Sequence, residues 1–217
     1  MHKNLGPIVD LNFLDGYLFH LMQQIANDQG KDASGFFDYY DARIKQRVGA
    51  LAEYDFDIAR YLLELKTKRV VHAGIGIGTL SCALACNGVA VVGVEANDAR
   101  FSSARLIKKA AVEIWPDIRY DIVHGLFPEA LAGQSFVDST LLFTNVGGGW
   151  DDAMLERVIL SLANFREVFL DLRLFGSVRN EEADRAALFE HIAKSAREAE
   201  RLPHVSYGFY LAHFVFA

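Results

Sequence analysis

The chain has 217 residues and carries 22 Lys and Arg against 28 Asp and Glu, which gives a net charge of −6. This length suits one domain, or one domain with a small extension, and a hydrophobic fraction of 52% is enough to fill its core. The acid excess argues against a nucleic acid partner. The sequence shows neither a signal peptide pattern nor an apolar run of about 18 residues, so we expect a cytoplasmic protein without membrane contact.

The first 65 residues predict a helical segment. Apolar residues recur at spacings of three and four over 8–30 and again over 34–65, which is typical of helices with one buried face. Gly30 lies in a polar turn between the two stretches and suits the end of the first helix. We expect residues 1–65 to form a helical lid ahead of a second unit over 66–217.

From Arg69 onward, buried strands alternate with helices. Strands are predicted over 69–73, 90–95, 119–123, 138–144 and 166–172, helices over 79–87, 98–113, 151–163 and 181–201, and a terminal strand over 205–216. Asp98 and Asp151 are predicted to be the N-caps of their helices. The alternation predicts an α/β fold in which helices cover both faces of a doubly wound, mostly parallel sheet.

The most informative signal is a glycine-rich stretch that follows the first of these strands. Gly74, Gly76 and Gly78 come directly after it, and Glu95 ends the next strand. Glycines allow sharp turns and close approach of the backbone to a ligand, and the following helix begins with unpaired N–H groups. An acid about 20 residues beyond the first glycine is placed to accept hydrogen bonds from ribose hydroxyls. The pattern therefore predicts a nucleotide-binding crevice.

The glycine spacing distinguishes between nucleotides. The dinucleotide fingerprint G-x-G-x-x-G would need its third glycine at Thr79 or Ser81, whereas the chain has G-x-G-x-G. This motif resembles the first motif of the class I S-adenosylmethionine-dependent methyltransferases. In that family the glycine loop wraps the methionine half of the cofactor and the acid after the second strand, here Glu95, holds the ribose. The family has Asp or Glu two residues before the first glycine, where this chain has His72.

The resemblance also implies a seven-stranded type of sheet with an antiparallel last strand, and a cofactor site built from the ends of its strands. It assigns S-adenosylmethionine as cofactor, with S-adenosylhomocysteine as product. The cofactor-binding residues that it implies are His72, Ala73, Gly74, Gly76, Gly78, Glu95, Ala96, His124, Gly125, Leu126, Asn145 and Val146. A backbone N–H of Gly125 or Leu126 is expected to meet an adenine nitrogen. For His124, a local hydrogen-bonding role competes with a role as base.

Catalytic and substrate residues are indicated less directly. Asn145 follows the fourth strand, where the family's chain passes the reactive methyl, and Tyr39 or Tyr40 resembles a tyrosine that covers the cofactor; Asn145 and Tyr40 are our candidate catalytic residues. Tyr39, Trp150 and Arg173 are the candidate substrate contacts, against the alternatives of core packing and, for Arg173, a structural ion pair. No metal is expected, although a magnesium site made of Asn145, Asp151 and Asp152 stays open.

Three functions are compatible with these sequence features. The first is a methyltransferase for a small molecule, because the chain shows no large added domain for a polymer; the sequence leaves open whether nitrogen, oxygen or carbon accepts the methyl. The second is a binding protein with the methyltransferase fold and no transfer activity, which His72 in place of the family's acid suggests. The third, a nicotinamide-dependent oxidoreductase, is compatible with Glu95 but disfavoured by the glycine spacing. A homo-oligomer stays open.

Overall fold

The computed structural model describes residues 9–29, 49–144, 146, 151–173, 181–202 and 210–216. The helices in these ranges are α1 (Leu11–Gln29), α2 (Glu53–Glu64), α3 (Thr79–Cys86), α4 (Asp98–Ile114), α5 (Asp152–Leu162) and α6 (Glu182–Ala193). The strands are β1 (Arg69–Ala73), β2 (Ala90–Glu95), β3 (Tyr120–His124), β4 (Phe136–Phe143), β5 (Phe165–Asp171), β6 (Glu198–Arg201) and β7 (Leu211–Val215). A short 3₁₀ helix covers Glu129–Leu131.

These strands form one seven-stranded sheet in the order β3-β2-β1-β4-β5-β7-β6. Strands β1 to β5 pair in parallel, whereas β7 runs antiparallel to both β5 and β6. The strand order reverses at β1, which has β2 on one side and β4 on the other. In open α/β sheets, ligands bind beyond the carboxyl ends of the strands at such a reversal. The predicted doubly wound sheet with an antiparallel last strand is confirmed.

The two faces of the sheet bury separate hydrophobic clusters because side chains alternate along each strand. Val70 and Leu142 belong to the cluster that packs with α1, α2, α3 and α4. Val71 and Leu141, one residue away on the same strands, belong to the cluster that packs with α5 and α6. A one-residue shift of register would exchange the two sets, so this alternation fixes the register of the central strands.

The N-terminal helices are part of this core. Leu14, Leu18 and Met22 of α1 are fully buried in the same cluster as Leu62 of α2 and Ile107 of α4. A helix was predicted over 34–65, but residues 49–52 are not helical and α2 begins only at Glu53. Residues 30–48 lie outside the described part of the chain. Among the described helices, none combines the length and apolar character that crossing a membrane requires.

One predicted helix was partly wrong. The helix predicted over 181–201 ends at Ala193, and Glu198–Arg201 forms the edge strand β6. Its sequence, Glu-Ala-Glu-Arg, favours helix in isolation, but backbone pairing with β7 outweighs this weak local preference.

Helices α4 and α5 each begin after a residue whose side chain caps the helix. The predicted N-cap Asp98 was also wrong, because Asn97 is the N-cap of α4 and its side chain accepts a hydrogen bond from Arg100 N, while Asp98 lies in the first turn. Asp151 is the N-cap of α5, as predicted, and accepts from Met154 N at 2.7 Å. Both caps satisfy N–H groups that would otherwise lack a partner at the start of the helix.

Candidate functional site

The glycine loop between β1 and α3 is a tight turn that other residues could not easily form. Gly74, Gly76 and Gly78 have φ angles of +70°, +59° and +80°, a region that favours glycine. The amides of Gly74 and Ile75 both donate to Val94 O, at 2.8 and 3.1 Å, so the loop is fixed to the end of β2. A Cβ on Gly74 would clash with Val146, which lies just beyond β4. The loop therefore brings the ends of β1, β2 and β4 together.

Glu95 connects the glycine loop with the end of β2. Its side chain is only 5% exposed, and its carboxylate accepts hydrogen bonds from Gly76 N at 2.8 Å and Asn97 N at 2.9 Å. Each oxygen receives one of these bonds, and a carboxylate oxygen has a second acceptor site. Glu95 can therefore hold the loop and still accept from ribose hydroxyls. The geometry fits the cofactor role that the sequence assigns to it.

His72 lies on the face of the sheet that α3 covers. Its ring Nδ1 is hydrogen-bonded to Ser81 Oγ of α3 at 2.8 Å, and the residue is 5% exposed. Burial lowers the pKa of His72 to about 4, because the charged ring would lose its hydration there. The imidazole is therefore neutral near pH 7.

Residues at the end of β3 make contacts with β2 and α4. His124 stacks on Phe101 of α4, with ring centroids 4.6 Å apart, and its Nε2 lies 3.2 Å from Ala96 O and 3.1 Å from Asp98 Oδ1. These contacts favour the local hydrogen-bonding role over a role as base. Gly125 N donates to Glu95 O at 3.0 Å. Of the two amides expected to meet adenine, that of Leu126 is the remaining candidate.

Arg173 follows β5 and is engaged with its own strand. Its Nε lies 2.9 and 3.0 Å from the two carboxylate oxygens of Asp171, and its Nη2 forms a short ion pair with the same group. The guanidinium also lies 4.8 Å from the ring centre of Tyr210. This is the structural ion pair that was the alternative to a substrate contact for Arg173. The other candidate substrate and catalytic residues, Tyr39, Tyr40, Asn145 and Trp150, lie outside the described residues.

Two buried polar residues near the loop were not found from the sequence. Ser81 is the partner of His72, and the ring of Tyr120 lies beneath the loop, where its hydroxyl would clash with a Cβ on Gly78. The hydroxyl of Tyr120 is buried close to the side chain of Ser81; burial raises the pKa of Tyr120, and the neighbouring Ser81 hydroxyl partly offsets this. A usable signal was Gly93 in the middle of β2, since glycine within a strand marks a close approach. Tyr120 and Ile75 would both contact a Cβ there.

The described residues include no cluster of three or more His, Cys, Asp or Glu side chains that could hold a metal ion. Asn145 is outside these residues, so the magnesium alternative is not tested. The groups that come together at the crevice are the glycine loop, whose Gly76 amide donates to Glu95, and the buried carboxylate of Glu95, which is an acceptor. This set suits a nucleoside with free ribose hydroxyls.

No protein-family model matches the sequence, and no curated protein matches it either. Solved structures do match the fold, among them three that align with more than nine-tenths of this chain.

Magnesium protoporphyrin IX methyltransferase from Synechocystis PCC 6803, solved with S-adenosylmethionine bound, is 18% identical with a TM-score of 0.55, over 95% of this chain and 94% of that one. A Staphylococcus aureus protein proposed to be a caffeoyl-CoA O-methyltransferase is 15% identical with a TM-score of 0.55, over 96% of this chain and 100% of that one. A proposed O-methyltransferase from Klebsiella pneumoniae is 15% identical with a TM-score of 0.53, over 94% of this chain and 97% of that one. The chain therefore has the class I S-adenosylmethionine-dependent methyltransferase fold.

Proposed function

We propose that this chain is an S-adenosylmethionine-dependent methyltransferase that acts on a small molecule. The observation that carries the proposal is the contact between Gly76 N and the buried carboxylate of Glu95 at the strand-order reversal of the sheet. It joins the G-x-G-x-G loop to the ribose-binding acid in one crevice. The Synechocystis methyltransferase, which shares the fold, supports the choice of cofactor.

In this proposal the chain's own residues bind and orient rather than react. The cofactor would supply an electrophilic methyl group on a sulfonium sulfur, and transfer of that group to an acceptor would leave S-adenosylhomocysteine as the product. Glu95 and the glycine loop hold the nucleoside and the methionine half, and Val146 bounds the crevice on the β4 side. Alignment of two reactants in a closed site accounts for much of the rate in such a transfer. Asn145 and Tyr40 remain our candidates for direct contact with the reacting atoms.

The charge of the site edge supports a small acceptor over a nucleic acid. Acids lie at the end of β2 (Glu95), in the first turn of α4 (Asp98) and at the start of α5 (Asp151 and Asp152). An edge of this kind attracts a cationic cofactor and repels a phosphate backbone, and the net charge of −6 acts in the same direction.

Titration calorimetry with S-adenosylhomocysteine, S-adenosylmethionine and NAD tests the proposal. We expect micromolar affinity for the first two ligands and no measurable heat with NAD. Binding of NAD alone would support the oxidoreductase alternative and contradict the proposal. Absence of binding by all three ligands would also contradict it.

A binding protein without transfer activity is the second candidate, and the observation in its favour is His72 where the family has an acid. Release of S-adenosylhomocysteine from S-adenosylmethionine separates the two, measured with panels of phenols, amines and carboxylic acids. We expect at least one panel to raise the release above the rate without acceptor. Tight binding of the cofactor with no release in any panel would favour the second candidate.

A further inference from the structure

We propose that His72 is a positioning residue that, together with Ser81, closes the base of the glycine loop, and that it does not contact the amino group of the cofactor. This inference rests on the proposed function, because it states how the same site recognises its cofactor. It also explains how the chain works with histidine at a position where the family has an acid.

His72 and Ser81 lie on either side of the glycine loop in sequence. His72 is the fourth residue of β1 and Ser81 is the third residue of α3, so they flank the loop on both sides. Their side chains are hydrogen-bonded at 2.8 Å across nine positions of sequence, and both residues are buried. The bond is therefore a non-covalent link between the two ends of the loop.

The glycine loop needs such a link because its unfolded form is flexible. Three glycines at alternating positions give the loop many conformations in the absence of structure, and ordering it costs more entropy than ordering other residues. Glu95 holds the middle of the loop at Gly76 N, and Val94 O holds its beginning. Ile75 O accepts from Gly78 N at 2.9 Å near the end of the loop, and the His72–Ser81 bond adds a side-chain contact between β1 and α3 to the packing of that helix. A loop held in its binding form loses less entropy when the ligand binds.

The position of His72 on β1 sets the direction of its side chain. His72 shares its face of the sheet with Val70, in the cluster packed by α3, and it pairs in register with Gly93 and Leu142 of the neighbouring strands. Its ring thus lies below the loop and against α3, while ligands of this fold bind beyond the strand ends. The Nδ1 of a neutral imidazole pairs with the hydroxyl of Ser81 there, whereas a carboxylate in the same place would be a buried charge with a large desolvation cost.

Four variants test the proposal: Ser81→Ala, His72→Leu, the double variant, and Ser139→Ala as the matched control. Ser139 is buried on β4 and its hydroxyl has no partner among the described residues. We expect each single change at the pair to weaken binding of S-adenosylhomocysteine about tenfold, and the double variant to be no weaker than either, because one bond is lost in all three. Ser81→Thr, which keeps the hydroxyl, is expected to retain most of the affinity. The control is expected to bind like the wild type.

Hydrogen exchange at the amides of residues 74–78 provides a readout without ligand. We expect these amides to exchange faster in Ser81→Ala than in the wild type or Ser139→Ala, since the loop loses its link to α3. The positioning role would be overturned if Ser81→Ala exchanged at wild-type rates. It would also be overturned if His72→Asp bound the cofactor more tightly, because that result would show that an acid at this position reaches the amino group. Failure of the wild type to bind S-adenosylhomocysteine would contradict the proposed function instead, and the exchange experiment would still decide on the link.

Discussion

At the scale of single residues, one mutation of Glu95 removes both its contact with the loop and the ribose contact that we propose for it. Its carboxylate fixes the loop through Gly76 N and, in our proposal, accepts from the ribose. A hydrogen bond to a charged group contributes about 1.5–3 kcal/mol, so Glu95→Ala is expected to weaken binding of S-adenosylhomocysteine at least tenfold by calorimetry. Asp121→Ala, an exposed acid on β3, is the control and should leave the affinity unchanged. Equal affinity of Glu95→Ala and the wild type would remove Glu95 from the site.

Gly78 and Tyr120 form a coupled pair beneath the loop. Gly78→Ala introduces a Cβ at a φ of +80°, which costs about 1–2 kcal/mol, and this Cβ would also clash with the hydroxyl of Tyr120. Tyr120→Phe removes a buried hydroxyl whose contact with Ser81 is at most weak, so alone it should change the stability by less than about 1 kcal/mol. Denaturant unfolding of both single variants and the double variant measures the coupling. We expect Gly78→Ala to destabilise less in the Tyr120→Phe background; additive free energies would contradict the clash.

His72 makes the fold sensitive to acid. Its pKa is about 4 in the folded state and about 6.5 when unfolded, so between these values the unfolded chain binds more protons and stability falls as pH falls. The effect is complete below about pH 4 and amounts to about 2 kcal/mol between pH 7 and pH 5. His72→Asn should lose less unfolding free energy over this interval than the wild type. Parallel losses in the two proteins would show that the ring titrates normally in the folded state.

The pKa of about 4 for His72 also changes what we expect for the pH dependence of cofactor binding. A ring with a pKa near 6.5 would weaken cofactor binding between pH 8 and pH 5.5 as it became charged. Because burial keeps the ring neutral over that interval, we expect no contribution from His72 to the pH dependence of binding there.

At the scale of secondary structure, the sequence predicts best where periodicity and glycine signals agree. The bounds of β1 and β2 were predicted without error, and those of α3 and α4 to within one residue, because buried apolar runs and the glycine loop delimit them. Strand β6 was missed, since its polar sequence has no strand periodicity and only its pairing with β7 makes it a strand. The contact between His72 and Ser81 was also missed, because a hydrogen bond across two elements leaves no local pattern in the sequence.

Helix α5 offers a test at this scale that also addresses the magnesium alternative. Asp151 caps α5 through Met154 N, so Asp151→Ala should destabilise the protein by about 1 kcal/mol, while Asp151→Ser should keep most of the stability. Thermal unfolding is measured with EDTA and with added magnesium. A cap predicts the same loss in both conditions. A loss confined to the magnesium sample would instead assign Asp151 to a metal site.

At the scale of the whole molecule, the question is whether α1 belongs to a separate lid or to the nucleotide-binding core. Leu18 of α1 is fully buried in the cluster that includes residues of α2, α3 and α4. Sequence periodicity predicts the buried face of α1 but not its partner, because any apolar surface would satisfy the pattern.

Leu18→Ala answers this question. Removing a buried leucine side chain costs about 2–5 kcal/mol, and if α1 is integral to the core the whole protein should unfold earlier in one cooperative transition. For a chain of this size we expect the melting temperature to fall by roughly 5–15 °C. Phe13→Ala, also in α1 but at a side chain that is 60% exposed, should change the stability by at most about 0.5 kcal/mol. The contrary result is two transitions in Leu18→Ala, of which the one stabilised by S-adenosylhomocysteine keeps its wild-type temperature. That result would show that α1 unfolds independently and would support the predicted lid.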